Sequence, residues 1–208
     1  MTEVTYEVET RLHFNGPAEA FRLIPFLQSN LPQQVRWRTI HYGRTLLAKD
    51  EILRISFTDQ GAGERVYLGW KGADRGRLIN IRPELDEEIT AGINQSTILK
   101  QIGGVADQTS VAAIQTELAR LGYDEFMSFT GENQVGFYEP LQLHLKLMYC
   151  QALRYSWLLE FEKTAKTPAE IAECEAELLE LVRLYGLGER LVREEPPTLL
   201  LQTLANQA

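Results

Sequence analysis

Acidic and basic residues recur in this chain two positions apart, with apolar residues between many of them. Glu7 and Glu9 lead to Arg11; Arg82, Glu84 and Asp86 enclose Pro83 and Leu85; Glu160 and Glu162 flank Phe161. Arg54 and Lys71 stand in two further stretches of strand character. Side chains two apart on a strand point the same way and stand about 6.5–7 Å apart, so each pair projects into one shared space. Carboxylates so placed suit the hard cations Mg2+ and Mn2+. Guanidinium and ammonium groups suit phosphate oxygens, arginine bidentately. The two sets in one cavity are what metal-assisted phosphoryl or nucleotidyl transfer requires.

Any one of these strands alone also reads as the solvated outer face of an antiparallel sheet, where cross-strand ion pairs contribute only a few tenths of a kcal/mol. The set reads differently. The same strands carry full apolar faces, and at least three amphipathic helices are available to cover them. A closed antiparallel β-barrel with apolar residues outward, helices around it and charges inward satisfies both patterns, which makes the expected fold class α+β.

The positioning elements follow from periodicity. Strict alternation runs from Val4 to Phe14, with Glu7, Glu9, Arg11 and His13 on the polar face. Asn15-Gly16-Pro17 breaks it, and helical spacing through Phe21, Ile24, Leu27 and Leu31 continues to Pro32. Strands are expected at about 36–42, 52–58, 65–71, 78–86, 143–150 and 155–163. Another spans 126–138, interrupted near Gly131-Glu132-Asn133. A helix is predicted over 110–121, ended by Gly122. Thr167-Pro168-Ala169-Glu170 is a capping box opening a helix that ends at Gly186. Pro196-Pro197 closes the expected ordered part, and the tail over 198–208 reads as either a short helix or disordered. No internal repeat or flexible linker divides the chain, so one domain is expected over 1–195 with a tail over 196–208.

Composition is ordinary for a globular protein, with 44% hydrophobic and 24% charged residues in 208. No run reaches the roughly 18 apolar residues of a membrane helix, and Met1-Thr2-Glu3-Val4 lacks the pattern of a signal sequence. The two cysteines, Cys150 and Cys174, match no metal-ligand spacing and read as reduced packing residues of a cytoplasmic protein. A net charge of −8 argues mildly against nucleic acid as the main partner, while local basic groups remain able to bind a polyanion. His13, His41 and His144 are isolated, Trp37, Trp70 and Trp157 read as barrel packing, and no nucleophilic triad or Gly-rich phosphate loop is present.

Taken in order, the charged stretches resemble the signatures of the CYTH, or triphosphate tunnel, family. Glu7-Val8-Glu9-Thr10-Arg11 resembles its E-x-E-x-K with Arg for Lys, and Leu53-Arg54-Ile55-Ser56 its L-R-I-R. Leu68-Gly69-Trp70-Lys71-Gly72 resembles L-T-x-K-G, Arg82-Pro83-Glu84-Leu85-Asp86 resembles R-x-E-x-E, and Glu160-Phe161-Glu162 the late E-x-E. The resemblance runs from about residue 5 to 190. It implies an eight-stranded tunnel that binds triphosphates through Mg2+ or Mn2+, and activities ranging from triphosphate hydrolysis to class IV adenylate cyclase chemistry. Departures are equally plain. Ser56 replaces the second Arg of L-R-I-R, and Gly131 and Asn133 stand where the family's K-x-R falls. Cys150 stands near its aspartate, and Pro-Pro-Thr replaces a terminal Ser-Tyr motif. Arg36, Arg38 and Lys146 are candidate substitutes for the missing cations.

The resemblance and the charged faces together lead to a metal-dependent phosphohydrolase acting on inorganic tripolyphosphate, thiamine triphosphate or a nucleoside triphosphate. In that reading Glu7, Glu9, Glu160 and Glu162 hold the metal, and Arg11, Arg54, Lys71 and Arg82 bind phosphate. Lys71 and Glu84 are the catalytic candidates, Glu84 as a metal ligand or a base positioning water. A class IV-type adenylate cyclase and a catalytically weak polyphosphate- or nucleotide-binding module are the alternatives. The expected partner is a small-molecule triphosphate with no membrane, and the chain is compatible with a homodimer.

Overall fold

A computed structural model of the chain describes residues 5–205. Val4, at the start of the expected first strand, and positions 206–208 of the expected tail lie outside the described residues. Eight strands form: β1 (Thr5–Phe14), β2 (Gln33–Tyr42), β3 (Ile52–Asp59), β4 (Glu64–Lys71), β5 (Asn80–Glu88), β6 (Glu125–Tyr138), β7 (Leu143–Tyr149) and β8 (Trp157–Ala165). They close into an antiparallel barrel in the order β1-β5-β4-β3-β2-β6-β7-β8, with β8 returning to β1. This is the α+β tunnel that the alternation and the resemblance imply. Closure leaves no unpaired sheet edge, the usual liability of an antiparallel sheet.

Seven α-helices accompany the strands among the described residues: α1 (Pro17–Leu23), α2 (Leu27–Asn30), α3 (Arg44–Leu47), α4 (Thr97–Gln101), α5 (Val111–Arg120), α6 (Pro168–Leu184) and α7 (Pro196–Ala205). The helix expected from Pro17 onward is two pieces, because Ile24 precedes Pro25 and leaves the helical region at φ −130°. Strand β6 runs without the interruption expected near Gly131, since its residues from Glu132 to Tyr138 pair with β7. Pairing partners override the weak local propensity of Gly-Glu-Asn. Pro196-Pro197 opens α7 instead of closing the ordered part, so the tail takes the helical one of its two expected states, proline being well suited to a first turn.

The chain divides into two compact units, one of Arg36–Ala73 with Pro83–Thr130, the other of Thr5–Val35, Asp74–Arg82 and the chain from Gly131 onward. In the first, Ile40, Leu53, Ile55, Val66, Leu68 and Leu85 are buried with Leu46, Ile98, Leu99, Ile114 and Leu118 of α3, α4 and α5. In the second, Val8, Leu12, Leu145, Leu147, Leu159 and Phe161 are buried with Leu27 of α2 and Leu178, Leu181 and Val182 of α6. Each unit thus covers the apolar faces of its strands with its own helices, and the charged residues of those strands alternate onto the opposite faces. No described helix is long and apolar enough to cross a membrane.

Candidate metal and phosphate site

Strand register assembles the second unit's charged cluster. Across β1 and β8, Glu9 stands opposite Glu162 and Arg11 opposite Glu160. Across β7 and β8, His144 stands opposite Glu162 and Lys146 opposite Glu160. Directly opposed residues share a face, so these side chains project together. One carboxylate oxygen from each of Glu7, Glu9 and Glu162 lies within 4.8 Å of the others. Glu7 and Glu9 are buried, and Glu162 is half-buried.

Glu160, expected among the metal ligands, is not in that trio. Its Oε1 accepts from Arg11 Nε at 2.7 Å, and it also pairs with Lys146. Arg11 is 2% exposed and is surrounded by acceptors. Its Nη2 lies 2.6 Å from Glu9 Oε1 and 3.3 Å from Glu195 Oε2, and its Nη1 donates to the Glu194 carbonyl at 2.8 Å. Burial alone disfavours a charged guanidinium; the carboxylates of Glu195, Glu9 and Glu160 reverse this and hold Arg11 well above its ordinary value. Burial likewise works against ionisation of Glu160, and Lys146 and Arg11 overcome it, leaving that carboxyl well below its usual range. Arg82 sits 3.2 Å from Glu195 Oε1, to which Asn80 Nδ2 also donates at 3.5 Å.

Glu7, Glu9, Glu160, Glu162 and Glu195 set five carboxylates against the three cations Arg11, Lys146 and Arg82. Most of these groups are removed from water. An excess of negative charge at reduced dielectric is costly unless compensated. Hard oxygen donors at the spacing of Glu7, Glu9 and Glu162 therefore fit a divalent cation such as Mg2+ or Mn2+. Beside Glu162 and Lys146 opens a cavity of about 410 Å³, lined also by Gln33, Phe137 and His144.

The first unit carries its own charged group on β3, β4 and β5. Arg54 Nη2 donates to Glu84 Oε1 at 3.0 Å and lies 3.6 Å from Asp86 Oδ2, while Lys71 Nζ lies 3.5 Å from Glu84 Oε1. Lys71 is buried, at 3% exposure. Gly69 stands directly between Arg54 and Asp86 in the ladder. A Cβ there would fall 2.4 Å from Asp86 Oδ1 and 3.0 Å from Arg54 Nε, so the pair exists because position 69 has no side chain. Ser56, in place of an arginine, shares a hydrogen bond of 3.1 Å with Thr39.

Of the candidate substitutes for the missing cations, Lys146 reaches the charged face. Arg38 lies on the apolar side of β2, its guanidinium 4.3 Å from the centre of the Phe57 ring, and Arg36 shares that side opposite Asp59. Asn133 faces Met148 on the Lys146 side of β7. His13 continues the face of Arg11 and stacks on Tyr155 at 4.5 Å. Sequence reasoning missed Glu195. Its only signal was an acidic pair directly before Pro196-Pro197, where order was expected to end.

Solved structures with the same fold were found. A Pyrococcus horikoshii protein superposes with a TM-score of 0.71 at 21% identity, covering 97% of this chain and 99% of that one. A candidate adenylate cyclase from Vibrio parahaemolyticus gives 0.68 at 15% identity, covering 94% and 97%. A candidate adenylyl cyclase from Hippeastrum, described as having a dominant triphosphatase activity, gives 0.53 at 17% identity, covering 88% of each chain. At these identities the likeness is one of fold. No family model matches the chain, and no curated protein matches it by sequence.

Proposed function

We propose that this barrel binds a triphosphate through a divalent cation and hydrolyses it. The observation that carries the reading is the trio Glu7, Glu9 and Glu162, with oxygens within 4.8 Å of one another on the strand face that also bears buried Arg11 and Glu160-bound Lys146. The Hippeastrum neighbour's described activity supports hydrolysis over cyclisation. Glu7, Glu9 and Glu162 are the metal ligands in this reading. A bound Mg2+ or Mn2+ would neutralise phosphate charge and orient the reacting phosphoryl group. In this reading Arg11, Arg54, Lys71, Arg82 and Lys146 are the cations for phosphate oxygens. In the same reading Glu84, paired with Arg54 and Lys71, orients an attacking water.

A second reading, a binding module with slow turnover, is favoured by one feature. Arg11 and Arg82 already share the carboxylate of Glu195, and Ser56, Gly131 and Asn133 bring no charge. Phosphate release from tripolyphosphate, thiamine triphosphate and ATP, with and without Mg2+ or Mn2+, tests the first reading when run beside titration calorimetry. Metal-dependent phosphate release supports hydrolysis; tight binding without release supports the module; cyclic AMP from ATP makes the chain a cyclase. No binding and no release overturns the triphosphate reading.

A further inference from the structure

Glu195 enters the buried cluster from outside the sheet. It is 4% exposed, yet it belongs to the turn that opens α7, its carbonyl accepting from Leu199 N at 3.0 Å. The segment leading to it is clipped along β1: Leu191 bridges to Leu12, and Val192 N donates to Arg11 O at 2.8 Å. At its end one carboxylate spans two guanidiniums, Oε2 toward Arg11 at 3.3 Å and Oε1 toward Arg82 at 3.2 Å. An oxyanion between two arginines is the arrangement a phosphoryl group adopts when arginines bind it.

We infer that the position between Arg11 and Arg82 is an anion site that the chain fills with its own Glu195, and that a phosphoryl group of the bound triphosphate takes it by exchange. Displacing Glu195 then releases α7 from its place. The inference rests on the triphosphate reading above and deepens it by adding a coupled step. Charge balance favours Glu195 as the group that leaves. With a divalent cation on Glu7, Glu9 and Glu162, the five carboxylates of the cluster are matched by its cations, and an incoming polyanion tips the balance negative. Glu9 and Glu160 are fixed in the β1–β8 ladder. Glu195 lies outside the ladder, in the turn before α7, so of the three carboxylates around Arg11 it is the one that can withdraw without opening the barrel. Withdrawal costs the burial of Leu199 and Leu200, so ligand affinity in the intact chain is lowered by the same amount.

Two measurements test this, both with Mg2+ and inorganic tripolyphosphate as the probe. Hydrogen exchange on the wild-type protein should show amides of Thr198–Ala205 exchanging at least tenfold faster when tripolyphosphate is bound, with α6 unchanged. Calorimetry should show Glu195→Gln, which keeps the shape and removes the charge, binding tripolyphosphate at least tenfold more tightly than wild type. Wild-type binding with α7 protection unchanged or increased, and no gain in Glu195→Gln, overturns the exchange while leaving the triphosphate reading intact. Failure of both proteins to bind while circular dichroism shows them folded overturns both. Should Glu195→Gln not fold, the wild-type exchange data decide alone.

Discussion

At Glu9 a carboxylate can be exchanged for an amide with almost no change in shape, which separates charge from packing. Five carboxylates face three cations around it, so Glu9→Gln relieves repulsion while removing a ligand oxygen. The variant should keep or raise its melting temperature and lose Mg2+- or Mn2+-dependent phosphate release by about 10²-fold or more. Normal turnover would remove Glu9 from the ligand set. Gly69→Ala asks the corresponding question of the first unit. Its Cβ would strike the tip of Asp86, which is 44% exposed and free to swing away, so folding should survive. Arg54 loses its alignment, and turnover should fall by up to about 10²-fold with little change in thermal stability. The shared face of Glu7 and Glu9 was legible in the sequence, because alternation alone places residues two apart together. The split between Glu162 in the trio and Glu160 bound to Arg11 and Lys146 was not legible, because it depends on which residues of β1 and β7 stand opposite each of them. Glu195 was beyond reach for a different reason: an irregular segment has no period to reveal where its side chains point.

Among the elements, α5 is tied to the loop before it by Glu117, whose carboxylate accepts from Arg120 at 2.7 Å and from Val105 N at 2.6 Å. Arg120 first and the Val105 amide second lower its carboxyl from 4.5 to about 2. A depressed carboxyl contributes stability that is complete above its ordinary value and disappears as pH falls through the folded one. The wild-type melting temperature should therefore drop between about pH 4.5 and 2, and Glu117→Gln should show a shallower drop there with a lower plateau at neutral pH. Strand β6 meets α2 at Gly136, where a Cβ would stand 1.8 Å from the Asn30 carbonyl oxygen. That neighbour is backbone and cannot rotate away, so Gly136→Ala should destabilise by about 1–3 kcal/mol in a denaturant titration. Element types were readable from alternation in β1 and from the capping box of α6, where Glu170 N does donate to Thr167 Oγ1 at 3.2 Å. The interruption expected inside β6 was overridden by pairing with β7, and at α7, where the sequence left a short helix and disorder both open, a buried leucine pair accompanies a helix.

For the whole molecule, a net charge of −8 repels a polyanion at long range, so cation and triphosphate should bind as partners. Mg2+ or Mn2+ at about 100 times its dissociation constant should raise the melting temperature by about 5–10 °C, EDTA should reverse the shift, and Glu9→Gln should blunt it. Chelation should also abolish tripolyphosphate binding while far-ultraviolet circular dichroism stays unchanged. The β1–β8 ladder carries one further consequence. Arg11 and Glu160 lie 149 positions apart, so the strand holding two of the three trio residues waits for the distant β8 before the seam that completes the trio exists. During synthesis β1 leaves the ribosome well before β8 can pair with it or α6 can cover its apolar face. Seam closure is then a late, non-local event that should set the folding rate. A nascent chain halted before residue 157 would have neither seam nor trio, so metal affinity would arrive in one step as β8 joins β1 rather than growing with chain length.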